Sequence, residues 1–161
     1  MKIATYQRHI RQTFLLVALL TLAVSNANAA ATGGGSFEAG KANYFNIDKP
    51  FVVNIRDGAG GLRFMQIGIN LMTMDAAVVT AVEKHLAPIK HELIMLFSQQ
   101  QFKKVTSRGA REQLRKNALA QVQSVLQEYA NIAPDKKLKN EDGEQYLSSV
   151  QDLFFTNFII Q

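Results

Sequence analysis

The chain of 161 residues contains no cysteine and no tryptophan, and only three of its residues are proline. The absence of cysteine excludes a disulfide framework, a thiolate zinc site, a cysteine nucleophile and a lipid-modified N-terminal cysteine. Apolar residues, in contrast, are plentiful, since 47% of the chain is hydrophobic. That fraction is too high for a disordered chain and predicts one ordinary domain, or a smaller domain with a tail.

The positive charge is unevenly distributed. The chain has 18 lysines and arginines against 13 aspartates and glutamates, which gives a net charge of +5. Lys2, Arg8 and Arg11 lie in an N-terminal stretch without acids, so 15 basic and 13 acidic residues remain from residue 30 onward. The main part of the chain is therefore nearly balanced, and its composition gives little support to nucleic-acid binding.

Residues 1–29 are predicted to be an export segment. A basic start leads into the apolar run 14–24 and then into Ala27-Asn28-Ala29. A basic region, a short apolar region and a small-x-small exit are typical of a signal peptide, with cleavage expected after Ala29. The alternative is a short N-terminal membrane anchor, although a span usually needs about 20 apolar residues. Both interpretations place the following residues outside the cytoplasmic membrane.

Residues 30–43 are rich in glycine and alanine and are predicted to be a linker, or a tail with no role of its own. The residues after the linker are predicted to form a globular domain that begins with a β-hairpin. Residues 44–55 are aromatic and β-branched, with Pro50 at the start of a strand or on an edge. A glycine-rich turn follows, and residues 62–74 alternate between apolar and polar positions.

Two long helices and a last strand are predicted after the hairpin. Asp75 is a candidate N-cap for a helix whose apolar residues recur at helical spacing, namely Val78, Val82, Leu86, Ile89, Leu93 and Phe97. Pro88 predicts a kink or two consecutive helices. Ser107 is a candidate cap for the second helix, whose apolar residues are Leu114, Ala118, Val122, Val125 and Tyr129.

The segment 134–145 is predicted to be a charged loop. The segment 146–161 is predicted to be a strand in the centre of the sheet, because the end of this segment is apolar at successive positions. The order β-β-α-α-β predicts an α+β fold, in which a small sheet packs against two to three amphipathic helices.

No residue pattern predicts catalysis, a metal site or a cofactor. His85 and His91 are six positions apart, whereas zinc-binding helical pairs are separated by about four. The segment 57–61 lacks the lysine and the following helix of a phosphate loop. The carboxylates of 141–144 lie in a charged stretch and are expected to be solvated, whereas catalytic acids need a desolvated pocket.

Four basic residues recur at helical spacing, namely Lys104, Arg108, Arg111 and Arg115. Such a stripe can bind acidic partners, anionic headgroups or an acidic polymer, and the alternative is a solvated helix face. We do not expect nucleic acid as a partner, because the domain is exported and no aromatic residues alternate with the cations. Reversing Arg111 and Arg115 to glutamate is expected to weaken assembly more than folding.

Five segments, in order, carry a resemblance to a known family. They are residues 44–54, 62–67, 88–94, 107–115 and 154–161. The most specific are the end Phe155-Thr156-Asn157-Phe158-Ile159-Ile160-Gln161 and the helix start around Gly109. Over residues 44–161 the chain resembles the flagellar basal-body-associated protein FliL family.

The resemblance implies a stomatin/prohibitin-like domain without enzyme activity or cofactor. It implies partners among the flagellar stator and basal-body proteins, assembly of copies into a ring, and support of rotation, swimming or swarming and chemotactic motility. It places the domain on the periplasmic face of the inner membrane. The apolar N-terminal segment is shorter than the usual anchor of the family, so a soluble periplasmic protein cleaved near Ala29 is the alternative.

Two other functions compete with this one. One is a periplasmic envelope scaffold of the same fold that is not dedicated to flagella. The other is a periplasmic enzyme whose site is built from dispersed residues.

Overall fold

The computed structural model describes residues 37–161, and the predictions for 1–29 and for residues 30–36 of the linker lie outside this range. The strands are β1 (Asn43–Arg56), β2 (Leu62–Thr73), β3 (Lys137–Lys139), β4 (Gln145–Leu147) and β5 (Val150–Ile160). The helices are α1 (Ala76–Lys84), α2 (Leu86–Ser98), α3 (Phe102–Val105) and α4 (Arg108–Ala130). These elements confirm the predicted α+β fold.

The main sheet has three antiparallel strands in the order β1-β2-β5. The predicted hairpin of β1 and β2 is confirmed, but the prediction that the last strand is central is wrong, because β5 lies at an edge. The apolar residues at successive positions of β5 therefore do not mean that helices cover both faces of the sheet. Leu153 is buried in the core, while Phe154 and Ile159 are 39% and 42% exposed.

The turn between β1 and β2 is closed by a side chain. The Asp57 carboxylate oxygen Oδ1 accepts hydrogen bonds from the backbone N–H groups of Ala59, at 3.0 Å, and Gly61, at 2.8 Å. Gly58 and Gly60 have positive φ, a conformation that glycine adopts without strain. The predicted turn is therefore confirmed.

The break between α1 and α2 confirms the predicted effect of Pro88. Helix α1 ends at Lys84 and α2 begins at Leu86, so Pro88 occupies the first turn of α2, where its missing N–H costs no helical hydrogen bond. Asp75 caps α1 by accepting from the Ala77 N–H at 2.8 Å, as predicted.

Helix α4 begins where the sequence predicts, since the Ser107 hydroxyl accepts from the Ala110 N–H at 3.2 Å. Four of its five predicted core residues are buried. Tyr129 is the exception at 54% exposure, because the last turn of α4 places its ring beside His85, with the ring centres 6.0 Å apart, instead of over the sheet. Its assignment to the core was wrong.

The predicted charged loop 134–145 contains secondary structure. Strands β3 and β4 pair through Leu138 and Tyr146 into a separate two-stranded sheet. Their turn is held by the Asn140 side-chain oxygen, which accepts from the Glu144 N–H at 2.8 Å. The last strand of the main sheet therefore begins at Val150, four residues later than predicted.

The core lies between one face of the main sheet and the helices. It is formed by alternate residues of β1 and β2, the apolar stripes of α1, α2 and α4, and Val150 and Leu153 of β5. Gly40 in the turn before β1 is attached to the sheet, because its N–H donates to the Met74 carbonyl at 2.8 Å. Within residues 37–161, no helix combines the length and the apolar character that crossing a membrane requires.

Candidate partner-binding surface

The four predicted binding residues lie on two helices. Lys104 belongs to the four-residue helix α3, and Arg108, Arg111 and Arg115 lie on the first turns of α4. Lys104, Arg108 and Arg111 are exposed, whereas Arg115 is half-buried. The structure therefore divides the stripe into residues that face solvent and one residue that faces the sheet.

Arg115 joins α4 to β5. Its guanidinium donates to both carboxylate oxygens of Glu112, at 2.9 and 2.7 Å, and its Nη1 atom donates to the Asp152 carboxylate and, at 3.0 Å, to the Leu153 carbonyl. Hydrogen bonding to Glu112 raises the pKa of the Arg115 guanidinium, and the same bond lowers the pKa of Glu112. The charge of Arg115 is thus balanced by two carboxylates of the chain itself.

Arg111 is held beside the edge of the sheet and keeps its charge available. Its Nη2 atom donates to the Thr106 carbonyl at 3.1 Å. Its guanidinium carbon lies 5.5 Å from the centre of the Phe158 ring on β5, within the range of a cation–π contact. No carboxylate of residues 37–161 forms an ion pair with Arg111 or Arg108.

An open cleft of about 1020 Å³ lies between the start of α4 and the edge of β5. Its lining comprises the cations Arg108, Arg111 and Arg115 on the helix side, and Asp152, Phe154 and Phe155 on the strand side. Glu112 and Asp152 also line the cleft and offset two of the three cations. The cleft keeps a small net positive charge, carried by Arg108 and Arg111, which form no ion pair within residues 37–161. It combines this charge with two aromatic side chains.

The sequence identified the cations of this cleft but missed Asp152, Phe154 and Phe155 in its lining, and also Phe158 beside Arg111. These residues follow the arginines by about forty positions, so no local spacing connects them. One signal was present in the sequence, since Asp152 is the only acidic residue between Tyr146 and Gln161. A lone acid in an apolar strand requires a cationic partner when it is not solvated.

The other candidate groups do not converge on a site. His85 lies between α1 and α2 beside Tyr129, while His91 lies on α2. The described part of the chain has no group of three or more histidine, aspartate and glutamate side chains placed to hold a metal ion. In the segment 57–61, Asp57 already accepts the N–H groups that a phosphate would need.

Comparison with known protein families adds one finding. The family described as flagellar basal body-associated protein FliL matches residues 44–161, which is nearly all of the described part of the chain. No curated protein matches the chain.

Proposed function

The chain belongs to the FliL family of flagellar basal body-associated proteins, and from this premise we propose that it supports the stator of the flagellar motor. In this role it binds stator and basal-body proteins, aids rotation, and thereby contributes to swimming or swarming and to chemotactic motility. The family match over residues 44–161 is the observation that carries the proposal. It is a binding role without catalysis and without a cofactor.

The positive cleft supports the proposal of a protein partner. Arg108 and Arg111 are exposed, form no ion pair within residues 37–161 and lie beside two aromatic side chains, an arrangement that suits an acidic protein segment. Lys104 extends the positive surface on α3. Arg115, in contrast, contributes to binding by fixing α4 against β5.

Two further parts of the proposal concern assembly and location. Copies of the chain form a ring through heterologous contacts that close, and the domain 44–161, with a stomatin/prohibitin-like fold, lies on the periplasmic face of the inner membrane. Residues 1–29 either anchor it there or are removed as a signal peptide, and residues 30–43 link the two parts.

The motor role is tested by deletion of the gene in its motile host. We expect a smaller swimming ring in soft agar, with flagellar filaments still present, because an accessory of the stator affects rotation more than filament assembly. The wild-type gene restores the ring diameter. Normal spreading of the deletion strain in both soft agar and viscous medium would contradict a role in rotation.

The cations are tested by complementation of the same strain. A gene carrying both Arg108→Glu and Arg111→Glu should fail to restore swimming, because it reverses the charge of the cleft. Lys116→Glu is the control for charge reversal on the same helix, since it makes the same change as each single arginine reversal at a residue that does not line the cleft. Equal restoration by the double variant and by the control would exclude the cleft as the binding surface.

A further inference from the structure

The two edges of the main sheet differ in how well they are protected against pairing with another strand. In β1 the regular ladder is interrupted between Ile47 and Phe51, where Lys49 has a φ of 68° and Pro50 lacks an N–H. Charged residues, prolines and irregularities of this kind are typical protections of an edge strand. In β5, residues 153–160 include neither a charged residue nor a proline.

The backbone groups of β5 that point away from the sheet can be identified from the register. Gln161 and Phe64 exchange two hydrogen bonds of 2.9 Å, so they form a hydrogen-bonded pair. In an antiparallel ladder such pairs alternate, and the N–H and C=O groups of Ile160 and Phe158 therefore point away from β2. No strand within residues 37–161 pairs with this side of β5.

Helix α4 covers the beginning of this edge but not its end. The outward carbonyl of Leu153 accepts from Arg115 at 3.0 Å, and the Val150 carbonyl accepts from the Gln123 side chain at 2.7 Å. Neither side chain reaches Phe158 or Ile160. The open part of the edge thus begins where the positive cleft reaches β5, at Phe154 and Phe155.

The two faces beside this open edge differ in chemistry. On the face that carries the helices, Arg111 lies over Phe158, and Arg108 is one turn away. On the opposite face, Ile159 is 42% exposed, and Phe64 of the neighbouring strand is 57% exposed. In a strand added to this edge, successive side chains would point to opposite faces of the sheet. One set would face the cations on the helix side, and the other set would face the apolar groups on the opposite side.

We propose that the free edge of β5 at Phe158 and Ile160 binds an extended segment of a partner protein as a fourth strand. The side chains of that segment alternate, with acidic residues facing Arg108 and Arg111 and apolar residues beside Ile159. This inference deepens the proposed partner-binding role and rests on it. Main-chain hydrogen bonds supply the affinity of such an added strand, and the alternating side chains supply its specificity.

Charge favours this partner over a second copy of the chain. If two β5 edges paired antiparallel around Phe158, both copies of Arg111 would lie on the same face of the joined sheet, close to each other. Like charges opposed across a strand pair are destabilising. An acidic segment instead neutralises the cations.

The test uses the full isotope-labelled chain in detergent solution and a short synthetic peptide of alternating glutamate and valine. We expect the peptide to shift the amide resonances of Phe158 and Ile160 and to slow their hydrogen exchange. Arg111→Glu should weaken binding about tenfold or more. Lys116→Glu should change it less than about twofold, because exposed charges outside the contact contribute little.

A second variant tests the backbone contact. Ile160→Pro removes the outward N–H at that position, so it should weaken peptide binding while the thermal midpoint of unfolding confirms that the domain still folds. A peptide of alternating lysine and valine is the probe for specificity and should not bind.

Several results would overturn the proposal. One is failure of the glutamate–valine peptide to bind at all, and another is equally good binding of the lysine–valine peptide. A third is a set of resonance shifts that is confined to residues away from β5. The last is self-association of the chain that already protects the β5 edge in the absence of peptide. If the peptide fails but the deletion strain swims poorly, the motor role stands and the edge-docking proposal is wrong. Normal swimming of the deletion strain contradicts the motor role itself.

Discussion

At the scale of single residues, Arg111 and Arg115 show how position changes the role of one side chain. The two arginines are four positions apart on α4 and belong to the same predicted stripe. Arg115 faces Glu112 and Asp152 and is paired with both. Arg111 faces an aromatic ring and has no ion-pair partner within residues 37–161.

Reversing the charge of Arg115 should therefore lower the free energy of unfolding more than reversing the charge of Arg111. Arg115→Glu places a third carboxylate beside Glu112 and Asp152 and removes four hydrogen bonds, so we expect a loss of about 2–3 kcal/mol in the free energy of unfolding. Arg111→Glu should cost less than about 1 kcal/mol. Urea denaturation of the full chain measures both.

From the sequence, Arg111→Glu and Arg115→Glu are both expected to weaken assembly more than folding. With the structure, we keep this expectation only for Arg111→Glu. Arg115→Glu combined with Asp152→Lys is the control, because it restores opposite charges across the same contact. Equal stability of the two single variants would show that the contact between Arg115 and Asp152 is not stabilising.

The pH dependence of stability follows from the same cluster. The bond from Arg115 lowers the folded-state pKa of Glu112 below its usual 4.5. A carboxylate with a depressed folded pKa contributes its stability fully above its unfolded pKa, and this contribution is lost as the pH falls through the folded value. Wild type should be more stable than Glu112→Gln near neutral pH, and the difference should shrink below about pH 4.

Denaturation of wild type and Glu112→Gln at a series of pH values checks this sign. Glu141→Gln serves as the control, because Glu141 is exposed in the turn between β3 and β4 and its variant should follow wild type throughout. A difference that grows on acidification would contradict the assignment.

At the scale of elements, the pairing of β2 with β5 depends on an irregularity. The register shifts between Gly68 and Ile69, where Thr156 is the extra residue on β5. An ideal Cβ atom on Gly68 would lie 2.5 Å from the Thr156 hydroxyl oxygen and 3.3 Å from the Asn157 backbone nitrogen. A side chain at position 68 would therefore press first on the Thr156 hydroxyl and then on the backbone of β5.

Gly68→Ala should lower the free energy of unfolding by about 1–3 kcal/mol, because the methyl group must displace the Thr156 hydroxyl and crowd the backbone of β5. Gly109→Ala is the matched substitution in an open position of α4, with no atom within 4 Å of the added carbon. It should raise stability by about 0.5–1 kcal/mol, since alanine loses less backbone entropy in a helix.

Chemical denaturation measures the free energy of unfolding of both glycine variants. The same measurement is made on Gly68→Ala combined with Thr156→Ala. The double variant should recover part of the loss, because the hydroxyl oxygen nearest to the methyl group is gone. A neutral effect of Gly68→Ala alone would mean that β5 moves freely at the bulge.

At the scale of the whole molecule, a small α+β domain of the FliL family presents one face of its sheet to the helices, and no helix or strand within residues 37–161 covers the other face. The exposed face carries several large apolar side chains, namely Tyr44, Val52, Leu62, Phe64, Phe154 and Ile159. Together with the unprotected edge of β5, this surface suits a protein that acts by binding others.

The location of the whole protein is tested by the mass of the mature chain from the envelope fraction. If cleavage occurs after Ala29, the mass lacks residues 1–29 and the protein is extracted with the periplasm. The variant Ala27→Lys together with Ala29→Lys should then prevent processing, because the cleavage site requires small residues. An intact wild-type chain in the inner membrane would establish the anchor instead.

Much of the fold was predictable because its causes are local. The Asp57 turn, the Asp75 and Ser107 caps and the break before Pro88 all depend on contacts within a few residues. The apolar stripes of α1 and α2 and the alternation in β2 follow from helix and strand periodicity. The family resemblance over residues 44–161 was also contained in the sequence, and the family match confirms it.

The sequence by itself determined the hairpin, most helix boundaries and the family, because short-range hydrogen bonds and periodic burial decide them. Only the tertiary structure decided that β5 is an edge strand, that Tyr129 is exposed and that Arg115 is balanced by Asp152. These features depend on which distant segments become neighbours, and that choice is made by the packing of the whole core. An apolar run has the same composition whether its strand lies in the centre of a sheet or at its edge.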